Sequence, residues 1–387
     1  MLSNIHIKNF KSHVDSSIPL SNINLFTGMN GMGKSSAIQS LLLLRQSEKF
    51  LSNGLLLNGD LCSIGNVEDA MHRFSEESDE IGITLSQNGE DVKFLFDTGP
   101  ENIAKTYAPQ KYVCEDERIK GLTLFGEGFQ YISAFRNGPQ NDYEKDNLMV
   151  DVLKQISKKE GRCEFVAHYF DYFKGNAIHP DLIKNKDASD SLKSQVDEWL
   201  KEISPNISLN VQLVDDYKVT YSFARGEHLT NLDNIKAANT GFGVSYVLPI
   251  IVATLAAASK NKQRDTKEMS QSDYNMDKSL IIIENPEAHI HPNAQAKLME
   301  LICLAAKVGV QFIIETHSDH IINSLLVAVK QNVLTPGQSK IYYFDRDESV
   351  HATKVIDLPV LEGGRLKNPP KGFFDQINIH MKQLMGF

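Results

Sequence analysis

The chain has 387 residues, 41% hydrophobic and 23% charged, with a formal net charge of −9. That balance excludes a disordered chain, and it argues against a surface that traps nucleic acid everywhere, although a local basic groove can persist under an acidic average. The four cysteines, Cys62, Cys114, Cys163 and Cys303, lie far apart with neither a CxxC pair nor zinc-type spacing, which disfavours a disulfide framework and a structural metal and fits a reducing compartment.

In chain order, MLSNIHIKNFKSH lacks the apolar core of a signal peptide, and the alternation around Ile5 and Ile7 predicts a strand. NINLFTG from Asn22 predicts a second strand that runs into a glycine turn, and SSAIQSLLLLRQ predicts a buried helix after it. EIGITLSQNGEDVKFLF alternates on both sides of Asn88-Gly89, a strong hairpin signal. A further strand is expected through QYISAF. From about Asp146 to Ser204 the chain turns charged and helical in pattern, as in NLMVDVLKQISKKE and DSLKSQVDEWLKEIS, which predicts an inserted helical subdomain followed by the strands ISLNVQL and KVTYSF. VLPIIVATLAAA from Val247 falls short of the roughly 18 residues of a bilayer span and reads as a buried helix, so a cytoplasmic protein with no membrane partner is expected. Residues 261 to 277 are polar and without periodicity, as in a mobile loop. Beyond them β/α alternation returns: LIII, a helix from Asn293, VQFIIE, a helix from Asp319, IYYFD, and a last helix after Gly372.

GMNGMGKS, Gly28 to Ser35, satisfies the eight-residue phosphate-loop pattern between a strand and a helix. Its glycines let consecutive backbone N–H groups turn onto phosphates, Lys34 reaches the terminal phosphates, and the Ser35 hydroxyl ligates Mg²⁺. The helix starting near Gly33 adds its positive end. ATP and Mg²⁺ are the cofactors this implies, with Gly28, Asn30, Gly31, Gly33, Lys34, Ser35 and Ser36 as the binding residues.

IKNFKS, GMNGMGKS, NTGFGVSYVLP at Asn239 to Pro249, ENPEAHIHP at Glu284 to Pro292, and ETHSDHIINSL at Glu315 to Leu325 occur in that order. Together they resemble the ABC-type ATPases of the SMC, RecF and OLD group, and PPKGFFDQI from Pro369 resembles the short domain of unknown function that closes one branch of them. The resemblance spans both ends and skips roughly residues 100 to 230. It implies a P-loop NTPase of ABC-ATPase type, α/β, with a mixed β-sheet core flanked by helices and an inserted mainly helical subdomain. The expected division is an N-terminal lobe at 1–110, an insertion at 111–230, a C-terminal lobe at 231–358 and a short terminal domain at 359–387. By the same resemblance Glu284 takes the place of the Mg²⁺-associated acid, His317 that of the switch histidine that senses the γ-phosphate, and Gly241, Gly243 and Ser245 that of the loop presented to the partner's ATP in a dimer. Here that loop reads TGFGVS rather than LSGGQ.

In the family the residue after the Mg²⁺ acid is commonly a glutamate that polarises water. Asn285 orients water by hydrogen bonding but accepts no proton at neutral pH, and Glu287, two residues on, is the alternative base. Since phosphoryl transfer has a loose transition state, positioning and charge neutralisation carry much of the catalysis, and a slow ATPase is expected. The rival reading of Asn285 is a binder without hydrolysis. His289 and His291 lack a third ligand and read as turn residues. Arg136 in ISAFRNGP reads as a surface arginine, the acids of DRDES at Asp345 to Ser349 as a solvated turn, and the basic stretch Lys154 to Arg162 as a solvated face. The functional expectation is a nucleotide-dependent sensor or regulator, a homodimer or higher homo-oligomer, paired with a protein effector such as a nuclease or toxin in anti-phage defence or DNA maintenance. The alternatives are a non-hydrolysing ATP-gated scaffold and a repair ATPase that binds duplex DNA directly.

Overall fold

The computed structural model describes all residues except 75–79, 114–115, 206, 226–233, 240, 260–278, 348, 371–372, 375 and 386–387. The loop expected at 261–277 lies outside the described residues.

The chain opens with β1 (Leu2–Phe10), β2 (His13–Pro19), β3 (Ile23–Gly28), α1 (Lys34–Gln46) and β4 (Gly54–Leu56). After the short α2 (Val67–Ala70) come β5 (Glu80–Gln87), β6 (Glu90–Asp97) and β7 (Tyr107–Val113). Apart from β3, these strands form an antiparallel sheet in the order β2-β1-β5-β6-β7-β4. The β5–β6 turn is set by Asn88 at φ 55° and Gly89 at φ 80°, the two consecutive positive φ values that a two-residue hairpin needs. Alternation then sends Leu2, Ile5, Ile7, Ile81, Ile83 and Leu85 into a core shared with Ile38, Leu41 and Leu42 of α1.

Next come α3 (Asp116–Gly121), β8 (Phe129–Ile132), β9 (Tyr143–Glu144), α4 (Val166–Phe173), α5 (Leu192–Ile203), β10 (Ile207–Leu213), β11 (Lys218–Arg225) and β12 (Asn234–Lys236). The last part contains α6 (Phe242–Ala257), β13 (Leu280–Glu284), α7 (Pro292–Lys307), β14 (Gln311–Glu315), α8 (Asp319–Lys330), β15 (Ser339–Asp347), β16 (Ala352–Asp357), β17 (Val360–Leu361), β18 (Arg365–Leu366) and α9 (Gln376–Leu384).

The second sheet organises the molecule. Its order is β16-β15-β3-β14-β13-β8, parallel throughout except for the antiparallel edge strand β16. Near-continuous apolar runs such as LIII suit a sheet covered on both faces. One face, with Phe26, Ile282 and Ile313, packs on α1, and the other, with Leu25, Ile283 and Ile314, packs on α6, α7 and α8. Each fully buried aliphatic side chain in these layers contributes about 1.5–3 kcal/mol. Among the described residues no helix is long and apolar enough to cross a membrane.

The stretch 111–230 packs with residues on either side of it. β8, from within that stretch, is an edge of the central sheet, and Trp199 and Leu200 of α5 share one core with α6 and Ile281. Of the expected helices, DSLKSQVDEWLKEIS forms α5, and the stretch also holds the helix α4 and an antiparallel sheet, β10-β11-β12 with β9 paired to β11. NLMVDVLKQISKKE is helical only over the π-turn Leu148–Val152. Lys154 turns left-handed at φ 56°, and the Gln130 side chain then takes up the backbone polar groups, donating to the Lys154 carbonyl at 2.6 Å and accepting from the Ile156 N–H at 3.0 Å.

Asp197 of α5 accepts the Leu209 N–H at 2.6 Å in partial burial, and burial pushes its carboxyl up to about 6. The folded chain therefore holds this proton more tightly than the unfolded one. The resulting stabilisation is complete below about pH 4 and is lost as pH rises through about 6. Urea unfolding of Asp197→Asn is expected to show a variant more stable by about 1–2 kcal/mol at pH 8 and equal to the parent chain below pH 4.

Candidate nucleotide-binding site

The site stands at the carboxyl ends of β3, β14 and β13. Gly28 closes β3 at φ 133°, and a Cβ there would lie 2.2 Å from the Phe344 carbonyl of β15, so only glycine permits this approach. Gly33 caps α1 in the left-handed region. The buried His13 braces the loop from below: Nε2 lies 3.0 Å from the Gly33 carbonyl and Nδ1 2.9 Å from Ser16 Oγ, and burial lowers its pKa to about 4. Asn30, Gly31, Gly33, Lys34, Ser35 and Ser36 line a cleft together with Glu315.

Lys34 is buried, with Nζ donating to the carbonyls of Gly28 (2.9 Å) and Met29 (2.8 Å) and standing 3.9 Å from Glu315 Oε1. The Ser35 hydroxyl donates to Glu315, at 3.0 Å to Oε2 and 3.2 Å to Oε1. Thus the acid that the Ser35 hydroxyl meets is Glu315 of β14. Glu284 lies on β13, one strand further from β3. Its Oε2 accepts from the Ala134 N–H at 3.3 Å, and the Tyr131 hydroxyl bonds the same carboxyl. The two acids are register partners at the ends of adjacent parallel strands. Burial and the neighbouring Glu284 push Glu315 up to about 7, and burial also raises Glu284 against the pull of the Ala134 N–H. A hydroxyl and carboxylates form an all-oxygen donor set of the kind that fits Mg²⁺.

Glu287 holds the loop after β14: Oε2 accepts from Thr316 Oγ1 at 2.9 Å and Oε1 from the His317 N–H at 2.8 Å. That makes it an anchor for His317. Burial and the Lys34 charge lower the His317 pKa against the pull of Glu287, which favours the uncharged ring. Asn285 sits at φ 46°, a left-handed position that asparagine tolerates better than glutamate, with its N–H on the Glu315 carbonyl at 2.9 Å.

The TGFGVS loop divides. Gly241 is the N-cap of α6 with open space around it, but a Cβ on Gly243 would lie 2.7 Å from the His289 carbonyl. Gly243 thus seats α6 on the turn that follows Glu284. Ser245, expected to face a partner's nucleotide, is instead buried at 1% exposure, because the first turn of α6 directs it into the core. His289 packs between Phe242 (5.5 Å) and Tyr246 (4.6 Å), and His291 caps α7 by accepting the Asn293 N–H. Asp345 and Asp347 do bond their own turn.

Arg136, read as a surface residue, is 1% exposed. Its guanidinium donates to the carbonyls of Tyr246 (2.8 Å), Ser133 (2.9 Å), Glu284 (2.9 Å) and Asn285 (2.8 Å). It binds the β8 loop, α6 and the acidic turn into one unit. A single arginine in a loop carries no sequence signal for this role. Glu315 does carry one, since QFIIE repeats the pattern of LIIIE, an acid that closes an apolar run.

A family model described as "AAA domain, putative AbiEii toxin, Type IV TA system" matches residues 23–323. The chain belongs to that family. A second model, "Protein of unknown function (DUF3696)", matches residues 334–384 of this AAA-domain chain. Among curated proteins, the DNA double-strand break repair Rad50 ATPase of Archaeoglobus fulgidus is 34% identical over 94 residues, 24% of this chain and 10% of that protein. The match therefore spans about a tenth of that relative's length. Among solved structures, an SMC head bound to the C-winged helix domain of ScpA covers 93% of this chain and 98% of its own, with TM-score 0.54 and 14% identity. An Smc head with an extended coiled coil, bound to the C-terminal domain of ScpA derived from Pyrococcus furiosus, covers 99% and 98% with TM-score 0.50 and 12% identity. The fold is that of an ABC-type ATPase head.

Replacing Arg136 by alanine leaves four carbonyls without their shared donor. Arg136→Ala is expected to cost about 3–5 kcal/mol in chemical denaturation, and Arg136→Lys to recover only part of it.

Proposed function

We propose that this AAA-domain protein binds ATP with Mg²⁺ at the Gly28–Ser36 loop and hydrolyses it slowly, as a nucleotide-dependent regulator of a protein effector. The observation that carries the reading is the convergence of Lys34, Ser35, Glu315, Glu284 and His317 at the carboxyl end of one parallel sheet, next to the positive end of α1. Bound Mg²⁺ supplies charge neutralisation of the phosphates, with Ser35 and the acids of β13 and β14 as its holders. Lys34 reaches the terminal phosphates, and His317 offers a hydrogen bond to the γ-phosphate from a loop fixed by Glu287. Asn285 orients water without taking its proton, so turnover is slow. The nucleoside lies toward the neighbouring cleft, where Gly31 adjoins Lys11, Arg73 and the Phe74–His351 stack.

We read the active form as a homodimer. Met29, Phe135 and Phe242, 63%, 80% and 55% exposed, belong to the phosphate loop, the β8 loop and the start of α6, and large apolar side chains at such exposure favour a covering surface. The effector is read as a nuclease or toxin. A second reading, an ATP-gated scaffold without hydrolysis, is favoured by Asn285 alone.

Steady-state phosphate release separates the two. Lys34→Ala is expected to bring turnover to background and Asn285→Ala to lower it by less than about ten-fold, since positioning rather than base catalysis carries the rate. Turnover at background in the unmodified protein supports the scaffold. In sedimentation velocity, ATP with Mg²⁺ is expected to shift the chain from monomer to dimer, and Phe135→Asp to weaken that shift. A monomer under all conditions overturns the dimer.

A further inference from the structure

We propose that Glu315 is a direct ligand of the nucleotide's Mg²⁺, sharing the ion with Ser35. The proposal rests on the ATP-binding reading and decides which acid meets the ion. Two adjacent ligands of an octahedral Mg²⁺, each at 2.0–2.1 Å, stand about 2.9 Å apart. Ser35 Oγ and Glu315 Oε2 are 3.0 Å apart. The pair already has the length of one edge of that octahedron, held by α1 on one side and β14 on the other.

The surroundings of Glu315 favour the same role. It is 7% exposed, and among the described residues its side-chain hydrogen-bond donor is the neutral Ser35 hydroxyl, with the Lys34 ammonium further off at 3.9 Å. A buried carboxylate beside a second one, Glu284, is poorly satisfied by so little positive charge. Lys34 also serves two loop carbonyls, so a divalent cation is the missing counter-charge. Glu284, by contrast, faces the Ala134 N–H and the Tyr131 hydroxyl, and its backbone carbonyl is held by Arg136. It acts on the ion from further out.

The test uses the full chain and a ribose-labelled fluorescent ATP, with binding measured first in EDTA and then along a MgCl₂ titration. Glu315→Gln keeps the shape and removes the charge. It is expected to bind the nucleotide in EDTA at least as well as the parent chain, and to need about ten-fold more Mg²⁺ or above to reach the Mg²⁺-dependent midpoint. Glu315→Asp, one methylene short, should move the midpoint the same way by a smaller factor, and Glu284→Gln should move it less than Glu315→Gln. A Glu315→Gln midpoint within about two-fold of the parent, or a larger shift from Glu284→Gln, overturns the proposal. If Glu315→Gln loses nucleotide binding in EDTA, Glu315→Asp decides: a midpoint at or below the parent's overturns the assignment. Failure of the parent chain to bind the nucleotide under either condition overturns the ATP-binding reading instead.

Discussion

The parallel register of the central sheet is the constraint on which the rest depends. β3 runs between β15 and β14, with Phe26 opposite Glu315 and Gly28 opposite Phe344, and β13 continues the level with Glu284 opposite Glu315. Because β13 and β14 end level at the two acids and β3 ends two residues further on at Gly28, the Gly28–Ser36 loop, two carboxylates and the loop carrying His317 open onto the same edge. A slip of one residue in β14 would turn Glu315 to the opposite face. Nothing in the local sequence of β14 prevents that slip. It is opposed at the polar ends of the strand, where the Gln311 side chain bonds the backbone of Leu2 and Ser21 and Glu315 accepts from Ser35.

Two acids side by side in a low-dielectric edge are an unfavourable arrangement taken alone, and the raised carboxyl pKa values reflect it. Glu315 is partly offset by Lys34 and the nearby positive end of α1, and Glu284 by the Ala134 N–H, the Tyr131 hydroxyl and the Arg136 charge.

A second level of organisation links this edge to the exposed start of α6. Arg136 joins the Tyr246 carbonyl to those of Glu284 and Asn285, Gly243 brings α6 against the His289 carbonyl, and His289 packs on Phe242 and Tyr246. Phe242, on the surface, is thus two contacts from the acidic strand. Any surface that covers Phe242 bears on the same rigid unit that holds Glu284.

The sequence by itself determined the glycine-rich turn between β3 and α1, the Asn88-Gly89 hairpin, the β/α alternation from β13 to β15 and the nature of the charged groups, because each is written in a short window through glycine positions, periodicity or a terminal acid. The tertiary structure alone decided which acid faces Ser35, that Ser245 points inward, that Arg136 is buried, and that the middle of the chain shares its core with both lobes. The physical reason is distance along the chain: Ser35 and Glu315, or Arg136 and Glu284, meet only through the ordering of strands in the sheet, and no local pattern records which strand lies next to which.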